Sequence, residues 1–337
     1  MGGLAGHAGR VDDEQRGGMN RRRALSLLTM AVPAATLTSG VATAADAAPP
    51  VEAASAWGGP VRFRRGRAML GSYLSLRGRT LTESLELRRR QLGRDQRIVH
   101  RYYPWTGYAP VSEPEVPSGA VLMVSWHGTF HKRITSGRSD RDIALMATRL
   151  AGMRRPVMLR WGWEMNGNWF DWDGAHNGRK PAGYVRSWRR MHRIFREEGA
   201  TNVAWVWGPN WNSGPDVSWN RFQRYYPGDA YVDWVGVSGY NFSRESPRTL
   251  FTPIVAAYGK RKPIVLAETA AIGHGRNTKA PWIRKLSAYV DATPSIGAVV
   301  WFDTDQQKGT SRNFRPDSDA EALAAYRRMA RKSRFSG

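Results

Sequence analysis

The chain has 337 residues, no cysteine, and 51 Lys+Arg against 28 Asp+Glu, giving a formal net charge of +23 at pH 7. The missing cysteine excludes disulfide scaffolds, Cys-ligated zinc sites, thiol nucleophiles and lipidated cysteines. With 41% hydrophobic and 23% charged residues the composition is that of a folded globular protein rather than a disordered one.

Along the chain, residues 1–44 read as an export signal. Arg21, Arg22 and Arg23 precede an apolar stretch from Ala24 to about Leu37, and Ala42, Thr43 and Ala44 form a small-residue cleavage site. The pattern predicts secretion by the twin-arginine route with cleavage after Ala44. The apolar stretch falls short of the roughly 20 residues of a membrane helix, and Pro33 interrupts it, so no membrane span is expected. Residues 45–60 are an Ala/Pro/Gly-rich leader, and residues 61–335 are predicted to form one domain.

Within that domain, strand-like apolar runs occur at 68–76, 97–103, 120–126, 156–161, 202–207, 232–240, 263–268 and 296–303. Near-continuous apolar runs are what parallel strands covered on both faces require. Amphipathic helical stretches alternate with them, eight of each, the fifth helix being the least distinct. Thr80 with Glu83 suits a capping box, Pro181 a first helical turn, Gly199 a helix C-terminus, and Pro316 the opening of the last helix. The repeat predicts an α/β fold, a (β/α)8 TIM barrel. An open doubly wound sheet is the alternative, but no Gly-rich phosphate-binding turn follows an early strand.

In such a barrel, chemistry collects where strands end. After the fourth strand, RWGWEMNGNWFDWDG (160–174) places Glu164 among Trp161, Trp163, Trp169 and Trp172; after the seventh, PIVLAETA (263–270) supplies Glu268. Two carboxylates from two barrel strands are the minimum equipment for cleaving a glycosidic bond, one protonated to donate to the leaving oxygen and one ionised to attack the anomeric carbon. Indole faces pack on the flat C–H surfaces of pyranose rings, and Trp126, Trp163, Trp169, Trp207 and Trp301 all fall near strand ends. The cationic excess is scattered over predicted helices without a nucleic-acid-binding motif, so a solvated basic surface and no nucleic-acid partner are expected. His131 and His176 lack the spacing of a metal site, and neither metal nor cofactor is expected.

RWGWEMNGNW, with YVRSWRRMHRIFREEGATNVAWVWGPN (184–210), YYPGDAYVDWVGVSGYN (225–241) and PIVLAETA, resembles glycoside hydrolase family 26, the clan A family that includes β-mannanases. The resemblance spans roughly residues 65–305. It implies a retaining mechanism with Glu164 as acid/base and Glu268 as nucleophile, their carboxyl groups about 5 to 5.5 Å apart. It also implies that Tyr240 hydrogen-bonds the nucleophile, that Arg160 lies near it, and that Trp126 and His127 line the subsite of the sugar under attack. Trp163, Asn166, Trp169 and Trp172 join the substrate-binding set. Asn210 and Trp301 are placed at the cleft, with a loop-capping Asn and a core Trp as rival readings.

One departure stands out: family mannanases carry His immediately before the acid/base, where this chain has Trp163. The exchange bears on sugar choice more than on hydrolysis, since both carboxylates remain. The resulting expectation is a secreted, monomeric, endo-acting β-glycan hydrolase with a polysaccharide partner. β-1,4-Mannan is favoured, and mixed-linkage β-1,3-1,4-glucan or β-1,3-xylan are alternatives. A non-catalytic glycan-binding cell-wall barrel is the rival of another class.

Overall fold

The computed structural model describes residues 57–273, 278–307 and 309–337. The expected export segment and residues 45–56 of the leader lie outside the described residues.

Eight strands, β1 (Met69–Ser75), β2 (Ile98–Tyr103), β3 (Val121–Trp126), β4 (Val157–Trp161), β5 (Val203–Trp207), β6 (Trp234–Asn241), β7 (Ile264–Ala271) and β8 (Ile296–Thr304), form a closed parallel barrel in sequence order. Closure is continuous from Met69 opposite Ala298 to Ser75 opposite Thr304. The observed strands match the apolar runs of the sequence to within a few residues.

The helices are α1 (Leu81–Leu92), α2 (His131–Thr135), α3 (Asp140–Gly152), α4 (Pro181–Glu197), α5 (Pro247–Tyr258), α6 (Lys279–Asp291) and α7 (Ala320–Ala330). Two of the eight expected crossover helices are not formed. The β2–β3 connection carries Pro104, Pro110, Pro114 and Pro117, each removing a backbone donor and disfavouring helical geometry in the residue before it. The β5–β6 connection, interrupted by Gly214, Pro215, Pro227 and Gly228, contains only the short 3₁₀ turns Ser218–Asn220, Phe222–Tyr225 and Asp229–Tyr231.

Local signals decide the helix starts. Thr80 and Glu83 cap α1 reciprocally, and Pro181 opens α4. Pro316 does not open the last helix; α7 begins at Ala320, where the Asp319 carboxylate accepts from the Ala322 N–H at 2.7 Å. An oxygen acceptor satisfies an orphan donor of the first turn, which a proline cannot do.

Strand alternation builds two apolar layers. Met69, Ile98, Met123, Met158, Val206, Val265 and Val300 fill the barrel interior, while their neighbours pack outward against the helices. Trp234 helps close the amino-terminal floor, its indole N–H directed at the carbonyls of Gly58 and Val61. Toward the carboxyl-terminal mouth the inward positions turn polar. No described helix is long and apolar enough to cross a membrane.

Candidate active site

Strand parity delivers the site. On β4, Met158 points inward, so Arg160 does as well, and Leu159 and Trp161 face the helices. Beyond Trp161 the chain turns back through two residues in the left-handed region, Gly162 (φ 50°) and Glu164 (φ 56°). For glutamate that geometry costs about 1–2 kcal/mol. It is fixed by the Glu164 N–H donating to the Gly208 carbonyl and by the Glu164 carbonyl accepting from Gly167, each at 2.8 Å.

Simple alternation would turn Glu268 toward the helices, because Val265 and Ala267 already face inward. A bulge corrects this. Opposite β6, Val237 pairs with Leu266 but Ser238 pairs with Glu268, leaving Ala267 as the extra residue. The inserted residue re-aims the carboxylate into the mouth, a common use of bulges beside active sites.

There Glu268, 3% exposed, accepts from Tyr102 Oη at 2.6 Å on Oε2, from Arg160 Nη1 at 2.7 Å on the same oxygen, and from Tyr240 Oη on Oε1. Three donors, one of them cationic, are the complement of a carboxylate. Arg160, fully buried, is itself held: its Nη2 donates to Ser238 Oγ and its Nη1 to Ser125 Oγ at 3.3 Å. Ser125 in turn bonds His100 Nε2 at 2.7 Å. Gly208 makes room for the arginine, since a Cβ there would sit 2.9 Å from Arg160 Nε.

Glu164, 6% exposed, receives the Trp169 indole N–H on Oε2 at 3.0 Å. Burial, followed by the charge of Glu268, pushes its carboxyl up to about 7. Burial, and after it the Glu268 charge, also drives the Tyr102 and Tyr240 hydroxyls well above their ordinary range, so both remain donors at neutral pH. Identical side chains thus acquire opposite characters, one carboxyl pushed up toward neutrality by burial and one surrounded by donors.

The expected site residues separate into three groups. Arg160 and Tyr240 gather on Glu268 and Trp169 on Glu164, and the two carboxyl groups lie near enough for the Glu268 charge to act on Glu164. Trp163, Trp172 and the half-buried His127 form the wall behind them. Trp163 packs against Tyr102 (ring centroids 5.3 Å apart), His127 (5.2 Å) and Trp172 (5.1 Å), and Trp172 donates its indole N–H to the Trp163 carbonyl at 2.7 Å.

The remainder are corrections. Trp126 and Trp301, expected at the cleft, are fully buried on the outward face of their strands. Trp126 stacks on Trp105 at 4.4 Å, and Trp301 packs against Trp282 and Tyr326. On β3 the inward residues are Met123 and Ser125, so parity directs Trp126 to the helices. Asn166 is a loop brace: its Oδ1 accepts from Asn210 N at 2.8 Å and its Nδ2 donates to the carbonyls of Asn210 and Asn212. Asn210 is tied to Asn212 by its own Nδ2, the loop-capping role that rivalled a cleft role.

Sequence reading missed Tyr102, His100, Ser125 and Ser238. All four sit at inward positions near strand ends, and counting alternation back from the mouth would have found them.

A parallel barrel with a donor-wrapped carboxylate on β7 and a buried carboxyl of raised pKa after β4 defines a class, the barrel glycosidases that work with two carboxyl groups. The glycosyl hydrolase family 26 model matches residues 123–308, more than half of the chain, and the chain belongs to that family. It is 32% identical over 256 residues to Endoglucanase H of Acetivibrio thermocellus, covering 70% of this chain and 27% of that protein. It is 30% identical over 126 residues to Beta-1,3-xylanase TXYA of a Vibrio species, covering 37% of this chain and 25% of the relative. The chain therefore spans about a quarter of the length of these curated relatives. Among solved structures, a GH26 β-mannanase from Bacteroides ovatus superposes with a TM-score of 0.60 at 18% identity, over 80% of this chain and 90% of that one.

Proposed function

We propose that the chain is a retaining, endo-acting β-glycan hydrolase in which Glu164 protonates the leaving oxygen while Glu268 attacks the anomeric carbon. In the second half-reaction Glu164, now ionised, takes a proton from water as that water displaces Glu268. The observation that carries the reading is the division of labour in one mouth. Glu268 is held by Tyr102, Arg160 and Tyr240, and Glu164 is buried within reach of its charge, which with burial lifts the Glu164 carboxyl to about 7. Partly exposed Tyr102, Trp169, Tyr240 and Phe242 supply aromatic surface for sugar rings.

For substrate we place a β-1,4-containing glucan, mixed-linkage glucan included, ahead of β-1,4-mannan, reversing the order expected from sequence alone. The endoglucanase relative matches across 70% of the chain, whereas the mannanase of Caldalkalibacillus mannanilyticus, 30% identical, matches across 40%. The indole of Trp163 stands where family mannanases carry a polar ring. Mannan remains the second reading, supported by that mannanase relative.

Reducing-sugar release from cereal mixed-linkage β-glucan, galactomannan and β-1,3-xylan tests the proposal. Release is expected first from the glucan and lost in Glu268→Ala. Retention of all three polymers without product would instead establish a glycan-binding barrel. We also propose, from the Arg21–Arg23 and Ala42–Ala44 pattern, that the protein is exported.

A further inference from the structure

A second concave surface lies beside the loops that carry the acid/base. A cleft of about 590 Å³ is formed by α2, the turn that follows it, the loop leading into α4, and the first turns of α4. Lys132, Arg133, Arg138, Lys180 and Arg186 line it, and among the described residues no Asp or Glu does. These five cations come from three stretches, Lys132 and Arg133 from α2, Arg138 from the turn after it, and Lys180 and Arg186 from the start of α4; all are exposed, and none makes an ion pair among the described residues.

The contrast with a neighbouring basic cleft on α4 is informative. There Arg190 pairs with Asp140, Arg193 with Glu197, and Arg189 Nε bonds the Pro227 carbonyl, so the charges are largely answered within the protein. Convergent unanswered cations raise each other's energy by like-charge repulsion and are relieved by an anion. Phe130, 45% exposed, adds an apolar ring to the same cleft. A flat ring beside cations suits a pyranose that bears an acidic group.

The cleft is also mechanically tied to the reaction loops. His131 Nε2 bonds the Trp172 carbonyl at 2.8 Å, and the His131 N–H donates to Asn177 Oδ1 at 2.8 Å. One wall is thus the outer side of the segment whose inner side carries Glu164.

We propose that this cleft binds an acid-bearing polysaccharide, its carboxylate or phosphate groups against Lys132, Arg133, Arg138, Lys180 and Arg186 and a sugar ring against Phe130. The site holds the protein on an anionic glycan matrix while the mouth cuts a neutral chain. This use rests on the glycosidase reading above; the binding itself does not.

Binding is therefore measured apart from turnover, with polygalacturonate fragments as the uronate probe and a phosphate-bearing polysaccharide of pyranose units as the phosphate probe. Lys132→Glu/Arg133→Glu/Arg186→Glu is compared with Arg62→Glu/Arg64→Glu/Arg65→Glu, an equal charge change near the barrel floor. The cleft variant should weaken binding of at least one probe by about tenfold or more, the floor variant by less than about twofold, and both should keep wild-type rates on a short neutral oligosaccharide. Which probe responds tells uronate from phosphate as the natural group. Equal weakening by both variants would reduce the effect to the diffuse field of a +23 protein and overturn the site. Failure of wild-type protein to bind either probe would do the same, as would tighter binding of duplex DNA through the same residues. Loss of all hydrolysis with binding intact would remove the glycosidase reading and leave the site.

Discussion

Glu164 and Glu268 differ in nothing but their surroundings, and those surroundings make testable demands. As the proposed acid, Glu164 must be protonated to donate, so kcat/KM on polysaccharide should fall as pH rises through about 7, the value to which burial and the Glu268 charge lift it. The same shift fixes the sign of a stability effect. A carboxyl whose folded value is raised favours folding in its protonated form, so its stabilisation is complete below the unfolded value of 4.5 and declines as pH climbs to about 7. Glu164→Gln should therefore gain on wild type by an amount on the order of 2–3 kcal/mol between those limits, read from urea midpoints at low and high pH. Tyr102, unnoticed in the sequence, should prove functional. Tyr102→Phe removes one of three donors to Glu268, and a hydrogen bond to a charged group is worth about 1.5–3 kcal/mol, so kcat should drop about 10- to 100-fold with the fold unchanged by circular dichroism.

At the level of strands and helices, the barrel tolerates buried charge where partners are complete. Arg88 on α1 reaches Asp303 on β8 at 2.6 Å and Asp317 at 2.8 Å, with the Arg88 and Asp303 side chains each 1% exposed. Removing one partner of such a set leaves the rest uncompensated, so Arg88→Ala should lower unfolding stability by about 3–5 kcal/mol while activity per folded molecule persists. The strands were legible because a parallel strand covered on both faces must be apolar throughout, and the α1 and α4 starts because Thr80 and Pro181 act locally. The missing second and fifth helices could have been read from the prolines of 104–117 and the Gly/Pro pairs at 214–215 and 227–228. The bulge at Ala267 left no such mark, since PIVLAETA looks like an uninterrupted strand. Trp126 and Trp301 sit near strand ends, but parity decides which way a side chain points, and it turns both toward the helices.

For the molecule as a whole, fold and charge answer to different constraints. The barrel and its two carboxyl groups are determined by apolar patterning and a handful of inward positions, while the net charge of +23 resides mainly on surfaces the barrel does not need. Some of those cations are answered by neighbours, as Arg315 is by Asp305 and Asp317, and the cleft beside α2 is a place where they are not. If the export reading holds, secreted material should have an intact mass corresponding to a chain beginning at Ala45; a mass that includes the three arginines at 21–23 would refute it.

The most direct test of the proposed mechanism is covalent. A 2-deoxy-2-fluoro glycoside with a good leaving group slows breakdown of the glycosyl-enzyme more than its formation, so the intermediate accumulates on the nucleophile. Peptide mapping by mass spectrometry should find one sugar on the peptide containing Glu268 and none on the peptide containing Glu164. A label on Glu164, or an unlabelled protein that cleaves the natural polymer with inversion of configuration, would contradict the assignment of Glu268 as nucleophile.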